Sequence, residues 1–311
     1  MSDAYRKILE LETTPEALES TVQYLSEHIK PFLQILEPVL ICFPDEGPCS
    51  LGGVFKEAVL RCKAKPVFWG PDYRGKELLR IAFDTHANTI VGSPLVALGL
   101  MKLARATATP LYVYDVIVGG DPFAPWVVDG LKKGFDCKAW GCYAVQSGPV
   151  IAGFSCAQEA GIHIREDVFK PHLYQDRNEA LGSNRGRLYF SSAKNPELVY
   201  DPEQMALIYY QPCCCGCDEP RVIEVKSVRN DDLSRELLDG KLLTWSSVLD
   251  YRVEYTEFGA ALELVVFPGE PIPKLPSFAK LNVRTWNPRE DIPFSMQKYA
   301  EKFPEKAVEC H

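Results

Sequence analysis

The sequence predicts an α/β fold, in which a mostly parallel sheet with flanking helices is followed by a β-rich part and a small α+β C-terminal domain. Two observations carry this prediction. From about residue 48 to 150, short apolar runs alternate with helical patterns of roughly ten residues, an order typical of parallel sheets. After residue 150, strand-like runs are separated by charged, Asn-rich turns, which is typical of antiparallel strands.

The elements follow from local patterns. Leucine and isoleucine recur at three- and four-residue steps over 4–36, which predicts helix, with Thr14 as N-cap and Pro15 at the first helical position. The apolar run Val39–Phe43 lies between prolines and predicts a strand. The other predicted helices are 54–62, 75–85, 94–105 and 125–134, and the other strands are 66–69, 89–91, 113–118, 137–140, 187–192 and 205–210. Residues 251–267 predict a hairpin that turns near Phe258.

A length of 311 residues suggests about two domains. The cysteine-rich segment gives way to polar sequence near residue 224, so the predicted domains are 1–223 and 224–311. Two long uncharged stretches, 85–101 and 139–158, contain prolines, glycines and polar residues. They are expected to be buried elements with turns, and no membrane span is predicted.

Composition narrows the functional classes. The chain has 34 Lys and Arg against 42 Asp and Glu, a net charge of −8, and no dense basic stripe, so no nucleic-acid partner is expected. It has 11 cysteines, an odd number, and no recognisable secretory signal. A reducing, cytoplasmic location is therefore expected, with thiols or a metal in place of disulfides.

Four of the cysteines fall within five residues, in the run Cys213-Cys214-Cys215-Gly216-Cys217. Two thiolates one residue apart on a tight turn can hold one soft metal ion, and the other ligands must come from elsewhere. Cys156 and His163, seven positions apart, are the best candidates. Together with Cys213 and Cys215 they would form a closed Cys3His site, which is typical of structural zinc.

Three alternatives to this ligand set stay open. Cys214 or Cys217 could replace a named ligand. The cysteines could be ordinary buried thiols beside an ordinary histidine. A redox role is weaker, because no Cys-x-x-Cys pair lies on a strand-to-helix turn.

Several of these motifs resemble the phenylacetate–CoA ligase branch of the adenylate-forming (ANL) superfamily. The resemblance covers residues 48–223 well and 224–270 loosely. It is carried by the following segments: Thr89–Pro94, similar to the family's strand-to-helix "tPS" stretch; Ile117–Asp121, at its "GaE" turn; Cys156–Asp167, similar to "eC…GLHi-ED"; Gly186–Leu188, similar to "GELv"; and Pro212–Arg221, similar to "PCpCGrthPRi". The resemblance implies the family fold and supports zinc, which some members hold with these cysteines and this histidine.

The sequence departs from the family where ATP is handled, so the chain resembles a shortened, degenerate member. No Ser/Thr/Gly-rich phosphate loop precedes the matching part; the nearest small-residue run, Cys49–Gly53, is short and belongs to a later element. Ser147 stands where the family has its Mg²⁺-binding Glu, and a hydroxyl is a poor Mg²⁺ ligand. The ribose-binding Asp is deleted ahead of Pro212, and the C-terminal catalytic Lys motif is not recognisable.

The resemblance places a ligand pocket at Gly119, Gly120, Asp121, Tyr143 and Ser147. The favoured function is a non-adenylating relative, a pseudoenzyme that binds a small acid, an acyl thioester or a partner protein, with CoA as a cofactor and ATP and Mg²⁺ in doubt. A homo-oligomer stays open. One alternative is an active AMP-forming aryl- or acyl-CoA ligase with a reworked ATP site, in which Asp121 holds the metal. The other is an acyl transferase or thioesterase with Cys142 as nucleophile, for which the sequence offers no obvious base.

Overall fold

The computed structural model describes residues 3–69, 74–119, 125–145, 149–156, 158, 161–174, 184–227, 233, 235–269, 271–272, 274–292, 294 and 299–301. Its helices are α1 (Asp3–Glu12), α2 (Pro15–Ile29, followed by a 3-10 turn at Lys30–Phe32), α3 (Leu51–Arg61), α4 (Gly75–Thr85), α5 (Pro94–Ala106), α6 (Pro125–Phe135) and α7 (Arg235–Thr244). None of the helices in these ranges is long and apolar enough to cross a membrane.

The strands form two sheets. In the large sheet they are β1 (Pro38–Ile41), β2 (Lys65–Phe68), β3 (Thr89–Gly92), β4 (Asp115–Gly119), β5 (Lys138–Ala144), β6 (Ile151–Ser155), β7 (Ile162–Ile164), β8 (Phe169–Tyr174), β9 (Arg185–Ser192), β10 (Val199–Tyr200), β11 (Gln204–Tyr209) and β12 (Arg221–Ser227). In the small sheet they are β13 (Val248–Thr256), β14 (Gly259–Val266), β15 (Lys280–Thr285) and β16 (Tyr299–Glu301).

The large sheet confirms the predicted fold class. Strands β2, β1, β3, β4 and β5 are adjacent in that order and all parallel, with helices in the connections. From β5 onward the pairings are antiparallel, through β6, β7, β12, β11 and β9. The parallel half is the predicted strand–helix alternation, and the antiparallel half is the predicted β-rich part.

The period of two in the parallel strands places helices on both faces of the sheet. In β1, Val39 and Ile41 pack with α2 and α3, whereas Leu40 between them packs with α4 and α5 on the opposite face. Side chains of successive strand residues point to opposite faces, so a strand buried on both faces is apolar throughout. That is why these strands are short apolar runs in the sequence.

Helix starts agree with the sequence. Thr14 caps α2 as predicted, since its Oγ1 accepts a hydrogen bond from the Ala17 amide at 3.3 Å. Ser93 caps α5 in the same way, accepting from the Val96 amide. The bounds of α4 are those predicted, and α5 extends one residue beyond its predicted end. A side-chain oxygen at the N-cap satisfies an amide that would otherwise have no partner inside the helix.

Helix α5 lies between the two sheets and accounts for the first uncharged stretch. Its residues from Pro94 to Ala104 are all buried. They share one hydrophobic cluster with Leu40 and Ile90 of the large sheet and with Leu262 and Leu264 of the small sheet. A helix that is apolar on every side is stable only when it is covered on every side.

The C-terminal segment is anchored on helices α4 and α5. The Gly75 amide donates to the Ile292 carbonyl at 2.6 Å, and the Asp291 carboxylate accepts from the Lys76 amide at 2.9 Å. Asp291 therefore caps α4 from a distant part of the chain, where the local N-cap residue, Arg74, makes no side-chain cap. The buried ring of Phe294 reaches both helices.

Several elements differ from the sequence prediction. The segment 226–243 is polar and was not predicted to be helical, but it contains α7. Residues 268–290 show no period, but they contain β15, an exposed edge strand. The predicted hairpin is confirmed, since Thr256 pairs with Gly259 around a two-residue turn that contains Phe258. Residue 224 lies within β12, and the division into two domains stays a prediction.

The buried Lys102 of α5 should make stability depend on pH. The residue is 9% exposed, its ammonium donates to the carbonyls of Trp245 and Val248 at 2.9 and 2.7 Å, and burial lowers its pKa to about 8. The folded state therefore releases this proton near pH 8 and the unfolded state near 10.4, so the Lys102 contribution to stability rises with pH between them.

We expect the unfolding free energy of the wild type to rise relative to that of Lys102→Met by up to about 3 kcal/mol between pH 8 and 10.5. Urea unfolding of both proteins at several pH values measures this difference. If the difference in unfolding free energy between the two proteins stays constant from pH 8 to 10.5, Lys102 is not desolvated.

Candidate metal centre

The cysteine cluster lies on the turn between β11 and β12. The Cys213 amide donates to the Cys217 carbonyl and the Gly216 amide donates to the Cys213 carbonyl, both at 2.9 Å. Gly216 has φ of +88°, a left-handed conformation that favours glycine. The turn therefore closes as the sequence predicts, with Gly216 at its tightest point.

The strand order of the large sheet brings Cys156 and His163 to this turn. Cys156 follows β6, and His163 is the central residue of β7, which pairs with β6 on one side and with β12 on the other. His163 lies opposite Arg221, and the Ile164 amide donates to the Pro220 carbonyl at 2.9 Å. Cys156 and His163 thus lie next to the cysteine turn, because β6, β7 and β12 are neighbours in the sheet.

The geometry fits a tetrahedral zinc ion. The four potential ligand atoms of Cys156, His163, Cys213 and Cys215 lie within 4.8 Å of one another. The Cys156 and Cys213 sulfurs are 3.8 Å apart, and the Cys215 sulfur is 3.5 Å from His163 Nε2. Tetrahedral zinc bonded at about 2.3 Å to sulfur and about 2.0 Å to nitrogen separates two sulfurs by about 3.8 Å, and sulfur from nitrogen by about 3.5 Å.

The surroundings lower the pKa values of two of these residues, Cys213 and His163. The Cys215 amide points at the Cys213 sulfur, and this hydrogen bond lowers the pKa of Cys213 to about 7. Burial, followed by the nearby charge of Arg221, lowers the pKa of His163 below its usual value. A thiolate and a neutral imidazole are the protonation states that a metal ion requires.

The structure also locates the alternative ligands. Cys214 is exposed, and its sulfur lies 4.0 Å from that of Cys213, outside the four-ligand group. Cys217 belongs to a different group, with His163 and Glu219. The sequence reasoning missed Glu219, although its position two residues after Cys217 was the available signal.

A buried arginine lies next to the strand that carries His163. Arg165, directly after β7, is 2% exposed, stacks on the Tyr24 ring at 4.5 Å and forms an ion pair with Asp167 at 2.7 Å. It also donates to the hydroxyls of Ser20 and Thr21, so it ties α2 to the end of β7. These contacts fix the strand that carries His163.

Only part of the predicted ligand pocket lies in the described residues. Gly119 ends β4, where it pairs with Cys142 of β5, the neighbour of Tyr143. The Tyr143 hydroxyl donates to Gln204 Oε1 at 2.6 Å, and its ring meets Phe190 edge-on. Gly120, Asp121 and Ser147 lie outside the described residues. Gln204, on β11, could not be linked to Tyr143 by sequence spacing.

The small-residue run 49–53 begins helix α3. The Ser50 hydroxyl caps this helix, accepting from the Gly53 amide at 3.0 Å and from the Glu46 amide at 3.1 Å, and donating to the Gly47 carbonyl at 2.8 Å. A Cβ on Gly53 would lie 2.0 Å from that carbonyl oxygen, so the preceding loop is folded tightly onto the helix. The Ser50 hydroxyl is therefore engaged within the loop.

Cys142 lies inside the protein. It is 1% exposed, and burial raises the pKa of its thiol well above the usual value. Thiolates are the nucleophilic form of cysteine, and burial in apolar surroundings suppresses them. This environment disfavours Cys142 as an acyl-transfer nucleophile.

Comparison with solved structures identifies the fold. The structure matches 2-hydroxyisobutyryl-CoA ligase in the postadenylation state in complex with R3-HIB-AMP, with a TM-score of 0.66 and 15% identity over 92% of this chain and 70% of that one. It matches the same ligase with 2-HIB-AMP and CoA at a TM-score of 0.58 and 14% identity, over 92% of this chain and 69% of that one.

It also matches a benzoate CoA ligase from Burkholderia xenovorans LB400, with a TM-score of 0.54 and 11% identity, over 90% of this chain and 64% of that one. No protein-family model matches the sequence, and no curated protein does. The chain therefore has the fold of solved acyl- and aryl-CoA ligases.

Proposed function

We propose that this chain is a non-adenylating relative of the acyl- and aryl-CoA ligases that holds a structural zinc ion and binds a small acid or its acyl thioester. The shared fold supports the ligand class, because 2-hydroxyisobutyryl-CoA ligase, which it matches, was solved in complex with R3-HIB-AMP and in complex with 2-HIB-AMP and CoA. The proposal goes beyond the fold in two respects: the loss of adenylation and the zinc.

The hydrogen bonds of the Ser50 hydroxyl are the main support for the loss of adenylation. Catalysis on ATP needs backbone amides and hydroxyls that face the phosphates. The small-residue run nearest to that role instead caps its own helix, with the Ser50 hydroxyl bonded to Gly47, Glu46 and Gly53. That run follows β1, and among the described residues no run of small residues precedes this first strand.

Two further residues point the same way. The Tyr143 hydroxyl donates to Gln204, so a nucleotide that needed this group as a hydrogen-bond donor would first have to break that contact. Ser147 offers a neutral oxygen where the resemblance places a magnesium-binding carboxylate.

Zinc would have a structural role here. Three cysteines and one histidine complete four-coordination, which leaves no position open for water or substrate. The ion would join the β6–β7 segment to the β11–β12 turn, both in the antiparallel half of the large sheet. Zinc is thereby expected to contribute to folding, and none of its ligands is assigned to chemistry.

Pyrophosphate release tests the loss of adenylation. The zinc-loaded protein, incubated with MgATP and a panel of aryl and short-chain acids, should release no pyrophosphate above the acid-free background, because the phosphates find no cradle. An active acyl-CoA ligase run in parallel establishes that the assay detects turnover. A clear acid-dependent signal would contradict the proposal and make the chain an active ligase with a reworked ATP site.

Calorimetric titration tests the ligand class separately. We expect phenylacetyl-CoA to bind the zinc-loaded protein and MgATP to give no heat of binding. If neither binds, the thioester part of the proposal fails while the loss of adenylation stands. If MgATP binds at micromolar concentration, a nucleotide site exists outside the residues described above.

A further inference from the structure

A second group of metal-ligating side chains adjoins the four-ligand centre. One ring nitrogen of His163, the Cys217 sulfur and a Glu219 carboxylate oxygen lie within 4.8 Å of one another. His163 belongs to both groups, and the other two residues belong to this one alone. The group supplies nitrogen, sulfur and oxygen, a mixed set that suits zinc and similar divalent ions.

The distances within this group also match a coordinated ion. The Cys217 sulfur is 3.6 Å from Glu219 Oε2. A tetrahedral ion bonded at about 2.3 Å to sulfur and about 2.1 Å to oxygen separates the two atoms by about 3.6 Å. The pair is therefore spaced for coordination without rearrangement of the turn.

His163 joins the two groups. The residue is 3% exposed, and the backbone of Glu219 lies beside its ring. Glu219 therefore adjoins His163 through its backbone as well as through its carboxylate.

The two groups differ in the number of ligands, and both have ligands that reach solvent. In the inner group, formed by Cys156, His163, Cys213 and Cys215, Cys213 and His163 are buried, Cys156 is partly exposed and Cys215 is exposed. In the second group, Cys217 and Glu219 are partly exposed. An ion held by the three ligands of the second group keeps an open coordination position, through which ligands can be exchanged.

We propose that His163, Cys217 and Glu219 form an outer position for a divalent transition metal such as zinc, occupied in alternation with the inner position, through which the ion is loaded and released. His163 keeps hold of the ion while the outer ligands are exchanged for the inner cysteines. Three ligands with a remaining open position bind more weakly than four, so the ion rests at the inner position. The inner position is the one in the proposed function, and the outer position is a separate claim about other residues.

Removing the inner thiols tests whether the outer position binds metal by itself. Cys156→Ser/Cys213→Ser, freed of metal under reducing conditions, should still bind one Co²⁺ per chain with lowered affinity, as measured by elemental analysis and visible absorption. Adding Glu219→Gln should abolish this residual binding. Adding Asp218→Asn, the matched change at an exposed neighbouring carboxylate, should leave it intact.

Release kinetics test the route in a protein with an intact inner position. Loss of zinc from the wild type to a chromogenic chelator should become at least about tenfold slower in both Cys217→Ser and Glu219→Gln, with stoichiometry unchanged at one ion per chain. Cys49→Ser, at an exposed thiol before α3, should release zinc at the wild-type rate.

The outcomes separate the two claims. If the wild type binds one ion, the double variant binds none and release rates are unchanged, the inner position stands and the outer one is overturned. Two ions bound at once by the wild type would overturn alternation. If metal binding depends on Glu219 and is as tight in Cys156→Ser/Cys213→Ser as in the wild type, the inner position is overturned instead.

Discussion

Cys213→Ser should release the metal and destabilise the antiparallel half of the large sheet. Cys213 is buried, its sulfur lies 3.8 Å from that of Cys156, and a hydrogen bond from the Cys215 amide lowers its pKa. Structural zinc sites bind with roughly 10–16 kcal/mol, so one of four ligands is worth about 3 kcal/mol, or roughly 100-fold in affinity. Competition with a chelator of known affinity measures this loss, and thermal unfolding measures its effect on the fold.

Cys214→Ser is the matched control, since Cys214 is the next residue but is exposed and lies outside the four-ligand group. It should keep wild-type affinity and melting temperature. The reverse pattern, with metal lost from Cys214→Ser and kept in Cys213→Ser, would show that Cys214 is the ligand. Equal, unchanged behaviour of both variants would mean that these thiols hold no metal.

Phe294→Ala should cost about 3–5 kcal/mol of unfolding free energy, the usual range for a buried phenylalanine. Its ring is 3% exposed, meets Trp69 edge-on at 6.0 Å, and lies where a Cβ on Gly75 or Gly99 would come within 2.9 Å of it. Both helices have a glycine where this ring packs, so truncation to alanine leaves a cavity between them. Urea denaturation measures the loss.

Phe258→Ala removes the same atoms from the turn between β13 and β14, where the ring is 84% exposed. Its effect should stay within about 0.5 kcal/mol, as for most surface substitutions. Similar losses in the two variants would mean that residue 294 is not packed between the helices. A loss in Phe294→Ala that is confined to a separate, earlier unfolding transition would mean that the C-terminal segment melts independently.

The parallel half of the fold could be predicted because its signals are local. Short apolar runs of β1 to β4 alternate with helices whose starts carry their own caps, such as Thr14 and Ser93. Helix α7 was missed because its sequence is mostly polar. Its residues Leu238 and Leu242 are buried by packing in a cluster with distant parts of the chain, which local sequence does not show. Strand β15 was missed for a related reason: an exposed edge strand has no buried face to impose a period.

The residues of the candidate metal centre could be predicted from the sequence, but their surroundings could not. Spacing and residue type were enough to select Cys156, His163, Cys213 and Cys215, and the structure brings these four together. The Tyr143–Gln204 contact joins strands that are not neighbours in sequence, so only the sheet order reveals it. The same is true of Asp291, which caps a helix that begins more than two hundred residues earlier.

The burial of α5 between two sheets has a consequence for synthesis on the ribosome. Domains emerge N-terminal end first, and β13, β14 and Phe294, which cover the outer face of α5, are made long after the helix itself. A nascent chain that ends before residue 248 therefore lacks the small sheet, and the outer face of this apolar helix stays uncovered. Such an intermediate is prone to aggregate, and chaperone occupancy should be highest while residues 107–247 are being synthesised.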